Sequence, residues 1–600
     1  GQYEDLLLAC FQRLFQAWSG TDRIAFLANI EGVNTPLCSA REPDTINQSI
    51  ERICEAKELA IENTLFQPET FVAWLANHGP TCGFSLDEIP EELAIHWQIT
   101  SSSVLCDYDT SRYHEDTIAR WMDCFIVLLE GFATMPMETL VEELPLVSSS
   151  DFQNLVISRN LTTTGSFPNE SVHKLFESVA AKTPSRIAVR YGHDKLCYGD
   201  LNTRADQLAA ALLQQGVDTG DTIAVLAEPS PLMLEAWLAI LKVGAAYLPL
   251  DPQHRADPDT LKMAQVKLLL SDQPASDSQE WTSKELEIQD LNLLSKDIQP
   301  TANETPTSHS GSLNASATVL FDWTKQSSAP VSLPHRSLVR LVKNTDYATL
   351  SPHEVFLLGG SPSSDRCLLE VWGALLNGGV LAIPQGMRST ANLAETIGKQ
   401  RVSSLVLTSE ELTNLMERHA EDLSWIRQIV ITDKRPAREI VARILEELPV
   451  SLTIGYGSLY NSLLTCCHTI TEEDLEAEFT NLGSPIPHTQ IYLLNEAHQP
   501  VPTGMTGDVW VGGDGLALFQ DTDQRNDVVK SRFTPSEGVL FHTGTRAMWH
   551  EDGSLILAKD GLRSNIHPIS NPLSVTPLST RTTGQPIFFI AASPSDKDIC

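Results

Sequence analysis

The feature that most constrains the fold is a regular alternation of helical and strand-like segments from residue 171 onward. One helix is expected to begin near Asn202 and to end at Gly216, and the next begins at the N-cap residue Ser230 and ends at Gly244. The runs between such helices are short and apolar, as in RIAVRY at Arg186–Tyr191. Alternating helices and buried strands predict doubly wound α/β sheets.

The pattern differs toward both ends of the chain. From Gln490 onward it changes to β-hairpins, with a turn signal at Asp552-Gly553. Before residue 149, helical periodicity at Glu4–Trp18 and strand-like runs predict a mixed α/β lobe. Two stretches rich in Ser, Thr and Asn, 145–170 and 299–316, are predicted as loops or linkers.

The charge of the chain excludes two classes of partner. Its 42 Lys and Arg residues against 77 Asp and Glu residues give a formal net charge of −35, which does not suit nucleic acid or an anionic membrane. The most apolar stretch, Leu234–Leu250, is interrupted by Glu235 and Lys242 and falls short of the ~18 residues of a membrane helix. Without a basic leader or an initiator Met, the chain is expected to be processed or to be a piece of something longer.

Cysteine and histidine spacing gives a second set of exclusions. The eleven cysteines form no CxxC pair, which is typical of reduced thiols and predicts a cytoplasmic location. The sixteen histidines contain no HExxH motif, so no metal site is predicted.

Six segments in a fixed order resemble the core motifs of adenylation domains in nonribosomal peptide synthetases. Together they extend over roughly 166–567, and they are Leu196–Asn202, Leu241–Pro252, His335–Val342, Leu368–Pro384, Leu482–Ala517 and Phe541–Leu555. The resemblance implies the adenylate-forming-enzyme fold, with doubly wound α/β subdomains and a β-rich subdomain. It also implies an adenylation-like core at 171–556 and the start of a degenerate C-terminal subdomain at 557–600.

The residues before this core resemble the C-terminal lobe of a condensation domain, which has a chloramphenicol-acetyltransferase-like fold. The resemblance rests on the run RIAFLANIEGVNTP, on the helix before Met135 and on the closing VEELPLVS. It implies a lobe at 1–148 and a linker at 149–170. The string HHxxxDG, which carries condensation chemistry in the family, does not occur in this sequence.

Family adenylation domains bind ATP and Mg²⁺ through a glycine-rich loop with a lysine, a metal-binding glutamate and a ribose-binding aspartate. Here the loop reads DWTKQSSAP, without glycine, and the lysine position is Ala329. The glutamate position is Tyr460 and the ribose aspartate position is Thr545. A displaced substitute at Lys325 is an alternative, but Asp322 at the start of the loop would repel phosphate. The hinge motif has also decayed, to AKDGLRSN at 558–565.

At other positions of the nucleotide and substrate sites, the sequence has residues that are compatible with binding. The vestigial nucleotide candidates implied by the resemblance are Gly455, Tyr456, Gly457, Thr543 and Gly544. The vestigial substrate candidates are Asp365, where the family holds an α-ammonium group, its neighbour Arg366, and the pocket-lining position Leu369. The competing interpretation of Asp365 is a solvated residue in the loop SPSSDRC.

The effect of the replaced groups on the rate of adenylation can be estimated. Removing one preorganised charge-stabilising group typically costs ~10²–10³ in rate, and at least four are replaced here. We therefore expect no catalytic residue and no tightly bound cofactor in this chain. The predicted function is a structural scaffold within a synthetase module for secondary-metabolite peptides. Its expected partners are the condensation N-terminal lobe and a phosphopantetheine carrier domain, in the same or an adjacent chain.

Three alternatives remain open. The first is an active domain with unusual motifs, which forms an aminoacyl adenylate and loads it onto the carrier. A non-functional remnant is the second, although the intact helix caps argue against it. The third is an acyl-CoA-type ligase of the same superfamily, which the condensation-like lobe disfavours.

Overall fold

The fold is taken from a computed structural model. It describes residues 2–19, 23–30, 33–40, 44–62, 82–85, 95–99, 103–108, 110, 113–163, 167–252, 258–272, 287–296, 311–322, 329–386, 388–477, 479–519, 525, 527–533, 538–558 and 589–590. The segment predicted as a decayed hinge motif, beyond Ala558, therefore lies outside the described residues, as do Lys325 and most of 557–600.

The N-terminal lobe, residues 2–148, combines helices with a mixed sheet. Its elements are α1 Gln2–Ser19, β1 Arg23–Ile30, β2 Val33–Ala40, α2 Ile46–Glu62, β3 Cys82–Ser85, β4 Ile95–Ile99, β5 Ser103–Tyr108 and α3 Glu115–Thr134. The strand order is β2-β1-β3-β4-β5, and strand β26, Phe589–Ile590, adds antiparallel to β5 at the edge. Phe589 and Ile590 thus pair with the first lobe.

A second sheet follows the predicted alternation. Its region contains α4 Ser149–Phe152, α5 Val172–Lys182, β6 Ile187–Tyr191, β7 Asp194–Cys197, α6 Tyr198–Gln214, β8 Thr222–Leu226, α7 Pro231–Val243, β9 Ala246–Leu250, α8 Pro258–Met263, β10 Val266–Ser271, β11 Glu287–Asp290, α9 Leu291–Lys296, β12 Ser316–Leu320, β13 Val331–Pro334 and α10 His335–Val342. The order β11-β10-β8-β9-β12-β13 is parallel except for the last pair.

The third sheet is longer and changes character along its length. Its further elements are β14 Val355–Leu357, α11 Arg366–Leu375, β15 Val380–Ile383, α12 Thr390–Gln400, β16 Ser404–Leu407, α13 Ser409–Arg418, β17 Gln428–Ile431, α14 Arg438–Glu447, β18 Ser451–Tyr456, β19 Cys466–Thr469, β20 Asn481–Pro485, β21 Thr489–Leu494, β22 Thr506–Gly513, β23 Val528–Lys530, β24 Val539–Trp549 and β25 Leu555–Leu557. It is parallel from β6 through β15, β14, β16 and β17 to β18, and antiparallel from β18 to β21. We call β20–β25 the β-rich subdomain.

The predicted helix boundaries are largely confirmed. Ser230 accepts a hydrogen bond from Met233 N at 3.3 Å as the N-cap of α7, and Gly244 ends that helix with φ +87°. Helix α6 begins at Tyr198, earlier than expected near Asn202, and the buried Tyr198 hydroxyl donates to Gly379 O at 2.8 Å. The Asp552-Gly553 signal lies in the loop between β24 and β25, and Gly553 has φ +90°.

The stretch predicted as a loop or linker before residue 171 is partly helical. Beyond α4, the chain continues through helical turns at Gln153–Ile157 and Ser158–Asn160. Leu155 and Val156 are buried there, and the Asn160 side chain pairs with the backbone of Ile491 at 2.7 and 3.2 Å. The stretch is ordered because it covers the β-rich subdomain.

The N-terminal lobe and the β-rich subdomain share one hydrophobic core. Trp18 and Trp121 of the lobe lie in the same cluster as Val509, Trp549 and Leu555. At its rim, Arg120 Nη1 pairs with Glu551 Oε1 at 2.7 Å, and the Arg159 guanidinium lies 5.0 Å from the centroid of the Trp549 ring. The two parts are therefore packed as one body. Within the described residues, no helix combines the length and the apolar character needed to cross a membrane.

Candidate functional site

The vestigial nucleotide residues come together where β18 meets β24. Tyr456 ends β18, and its hydroxyl donates to Thr543 Oγ1 at 3.1 Å. Thr543 Oγ1 donates to Val509 O at 3.1 Å and accepts from Thr545 N at 3.2 Å. Burial raises the pKa of Tyr456. Tyr456 and Thr543, two of the predicted nucleotide candidates, are therefore in contact with each other and with Thr545, and the hydrogen bonds join hydroxyl and backbone groups.

Tyr460, which stands where the resemblance implies a metal-binding glutamate, is part of a stack of aromatic rings. Tyr460 lies 4.8 Å from Phe541 and 6.2 Å from Phe519 between ring centroids, with interplanar angles of 27° and 14°. Phe519 and Phe541 also stack on each other at 5.6 Å. The three stacked side chains include one neutral phenol, that of Tyr460, and no carboxylate, which is the side-chain group that usually binds Mg²⁺.

A cation covers the edge of this stack. The Arg525 guanidinium lies 5.5 Å from the Tyr460 ring centroid and 5.3 Å from that of Phe519. The same guanidinium pairs with Asp527 through two contacts of 2.9 and 2.7 Å. Arg525 is thus engaged by a carboxylate and two ring faces, which is the arrangement of a cation–π cap.

The glycine candidates near Tyr456 have packing reasons of their own. A Cβ on Gly455 would lie 2.4 Å from Leu464 Cδ2, and one on Gly457 would lie 2.0 Å from Leu463 O. Gly544 has φ +75°, a conformation that favours glycine. Retention of these residues is explained by the backbone and does not require a nucleotide.

The substrate candidates are more buried than the solvated-loop interpretation implied. Asp365 precedes α11 and is only partly exposed, and burial raises its pKa, with the nearby Asp322 carboxyl raising it further. Leu369 is 1% exposed and belongs to the main hydrophobic core.

The Arg366 side chain is held in an ion network. Its guanidinium contacts Glu370 Oε1 at 3.3 Å and pairs through two nitrogens with Glu411 of α13. Gly360 N donates to the Glu370 carboxyl at 3.2 Å. Burial raises the pKa of Glu370 to about 7, even though the Arg366 charge opposes this shift. Arg366 therefore clamps α11 to α13.

The structure describes the residues on both sides of the segment that aligns with the phosphate loop of the family. Asp322 follows β12, and Ala329 stands exposed before β13 at the lysine position. Residues 323–328 lie outside the described residues. Within the described part of the chain, no three His, Cys, Asp or Glu side chains lie together as a metal site.

Three residues of the stack escaped prediction: Phe519, Arg525 and Phe541. Phe541 could have been found, because it stands two residues before Thr543 on one strand and so shares its face. Phe519 and Arg525 carry no such signal, since they reach Tyr460 from a separate connection after β22.

Comparison with known proteins identifies the domain. The family model described as AMP-binding enzyme matches residues 176–518. One of the linear gramicidin synthase proteins of Brevibacillus parabrevis is 34% identical over 482 residues, 78% of this chain and 9% of that protein. Bacitracin synthase 1 from Bacillus licheniformis is 28% identical over 83% of this chain and 10% of its own length. The chain thus spans about a tenth of the length of these curated relatives.

Solved structures share the fold. A fused adenylation-PCP di-domain, NpsA-ThdA from Klebsiella oxytoca, matches with a TM-score of 0.60 and 22% identity, over 66% of this chain and 74% of its own. The nonribosomal peptide synthetase FmoA3 matches with a TM-score of 0.79 and 18% identity, over 93% of this chain and 65% of its own. The chain belongs to the AMP-binding enzyme family, and its matched part is an adenylation domain of the nonribosomal peptide synthetase type.

Proposed function

We propose that this adenylation domain has lost ATP-dependent activation of an amino acid and serves as a structural element of a synthetase module. The observation that carries the proposal is the stack of Tyr460 on Phe541 and Phe519, because the resemblance implies a metal-binding glutamate at position 460. Proteins usually bind Mg²⁺ through one or two carboxylates together with substrate phosphates, and Tyr460 offers a neutral phenol in place of a carboxylate. The residues present therefore do not fit Mg·ATP.

Two further replacements act in the same direction. At the ribose position, Thr545 contributes a backbone N–H to Thr543 where the family has a carboxylate. At the lysine position, Ala329 has no charge to neutralise phosphate. Losses of this kind typically cost ~10²–10³ in rate each, and even strong non-additivity leaves activation near background.

The substrate side supports the same conclusion. The Arg366 guanidinium forms ion pairs with Glu370 and Glu411, and the Leu369 side chain is packed in the main hydrophobic core. An incoming amino acid would have to break these contacts. A buried charge left without its partner costs about 3–5 kcal/mol, so opening this position is unfavourable.

We also propose that residues 1–148 are the C-terminal lobe of a condensation domain, with 149–170 as the connection, 171–556 as the core and 557–600 as a degenerate C-terminal subdomain. In favour is the structural match to FmoA3, which extends over 93% of this chain and so beyond the adenylation part. The shared core of the N-terminal lobe and the β-rich subdomain suits a scaffold that holds neighbouring domains in place.

The proposed partners are a condensation N-terminal lobe and a phosphopantetheine carrier domain. Large multidomain relatives and a fused adenylation-PCP neighbour favour this assignment. We also propose a cytoplasmic location, because the eight cysteines whose side chains the structure describes are all free thiols.

A second candidate, an active domain with unusual motifs, is favoured by the half-buried Asp365 and by the retained Tyr456. Calorimetric titration of the 600-residue chain with Mg·ATP separates the two. Loss of activation predicts no heat of binding and no thermal stabilisation. A ligand at about 100 times its Kd stabilises by about 2.7 kcal/mol, so a rise of several degrees in the melting temperature would contradict the proposal.

A further inference from the structure

A polar cavity of about 450 Å³ lies apart from the vestigial site, where the connection before α5 meets the start of α10. Its volume is within the range of about 300–1,000 Å³ that is usual for small-molecule sites. Segments from distant parts of the sequence line it, and the lining residues are Phe167, Asn169, Gly311, Ser312, Leu313, Asn314, Arg336 and Asp514.

The cavity contains one cation and one carboxyl group that do not neutralise each other. Within the described residues, no ion pair of 4.0 Å or less joins Arg336 to Asp514. The Arg336 Nη1 group donates to Asn314 Oδ1, whereas its Nε is buried and has no hydrogen-bond partner among the described residues. Asp514 is about half-exposed and pairs at 3.5 Å with His488 Nδ1.

The walls around these charges are fixed by short contacts. Arg336 N donates to Leu313 O at 2.9 Å, and Asp514 N donates to His488 O at 3.1 Å. The Phe167 ring packs edge-on against His488 at 4.8 Å. The buried His488 Nε2 has no partner within the described part of the chain. The backbone of Arg336 and that of Asp514 are therefore each fixed by a hydrogen bond to another segment of the chain.

The pair of charges selects the kind of ligand. A simple anion would be attracted by Arg336 and repelled by Asp514, and a simple cation would experience the reverse. A zwitterion satisfies both groups at once, through charge-assisted hydrogen bonds at each end. Phe167 and Leu313 supply the apolar part of the lining.

We propose that this cavity binds a free α-amino acid with a hydrophobic side chain. Its carboxylate contacts the Arg336 guanidinium and its ammonium group contacts the Asp514 carboxyl, while Phe167 contacts the side chain. The inference does not rest on the lost activation, since neither Arg336 nor Asp514 belongs to the nucleotide or substrate positions.

The test is titration of the 600-residue chain with L-leucine, followed by saturation-transfer NMR and calorimetry. Two half-analogues are titrated in parallel: 4-methylpentanoate, which lacks the ammonium group, and 3-methylbutylamine, which lacks the carboxylate. Each lost charge-assisted contact is expected to weaken binding about tenfold to a hundredfold. L-Leucine should therefore bind, and both half-analogues should bind far more weakly.

Variants locate the site. Arg336→Gln and Asp514→Asn should each weaken L-leucine binding about tenfold or more, while Asp365→Asn and the surface control Arg443→Gln should leave it unchanged. Thermal melting checks that the variants stay folded, and the half-analogues test the same point on the unaltered chain. Absent binding of L-leucine, equal binding of a half-analogue, or loss of binding in Asp365→Asn would each overturn the proposal.

Discussion

Replacing Tyr460 with leucine tests whether the aromatic stack is a stable part of the fold. Each of the two ring contacts of Tyr460 contributes about 0.5–1.5 kcal/mol beyond its buried area. The contact with the Arg525 guanidinium, at 5.5 Å, contributes about 0.5–1 kcal/mol. We therefore expect the free energy of opening around Tyr460 to fall by about 1.5–4 kcal/mol in Tyr460→Leu.

Hydrogen exchange measured by mass spectrometry on peptides of β24 reports this local opening directly. Since about 1.4 kcal/mol is a factor of ten, protection should fall by about tenfold to several hundredfold. The matched control is Tyr460→Phe, which keeps the ring and removes only the hydroxyl that bonds Arg525, so its protection should fall less than that of Tyr460→Leu. Combined with Phe541→Leu, the Tyr460→Leu change should show a coupling of about 1 kcal/mol. Unchanged protection in Tyr460→Leu, or fully additive losses in the double variant, would refute the reasoning.

Three further outcomes follow. Thr545→Asp should give no amino-acid-dependent pyrophosphate exchange, because the metal carboxylate and the loop lysine are still missing; turnover from this single change would contradict the account. Burial raises the pKa of Glu370 from 4.5 to about 7, so the folded chain binds more protons than the unfolded chain between these values and stability falls as pH rises through that window. Glu370→Gln should lessen this fall between about pH 5 and about pH 8, and equal melting-temperature slopes would exclude the assignment. A chain without residues 1–148 should aggregate, since it exposes the face that carries Val509 and Leu555; a folded, monomeric product by near-ultraviolet circular dichroism and gel filtration would argue against a shared core.

Local signals explain which parts of the fold could be predicted. Helix α7 follows from its own residues, because Ser230 caps it and Gly244 ends it in a left-handed conformation. The start of α6 could not be predicted in this way, since Tyr198 is fixed by a hydrogen bond to Gly379, far along the chain. Order at Asn160 likewise depends on the distant backbone of Ile491.

The candidate site shows the same division. The order of the motifs placed Tyr456, Thr543 and Thr545 in the nucleotide-site motifs of the family. In the structure these three residues are joined by hydrogen bonds. What replaced the lost chemistry was not predictable, since Phe519 and Arg525 reach Tyr460 only through folding. Burial of Asp365 also depends on packing that a loop-like sequence does not indicate.

Loss of activation is tested most directly by amino-acid-dependent exchange of labelled pyrophosphate into ATP. The 600-residue chain is assayed with Mg²⁺ and each proteinogenic amino acid in turn, against a control without protein. The account predicts no incorporation above that control for any amino acid. Clear turnover with any one of them would contradict it, because it would mean that new residues have replaced the lysine, the metal carboxylate and the ribose carboxylate together.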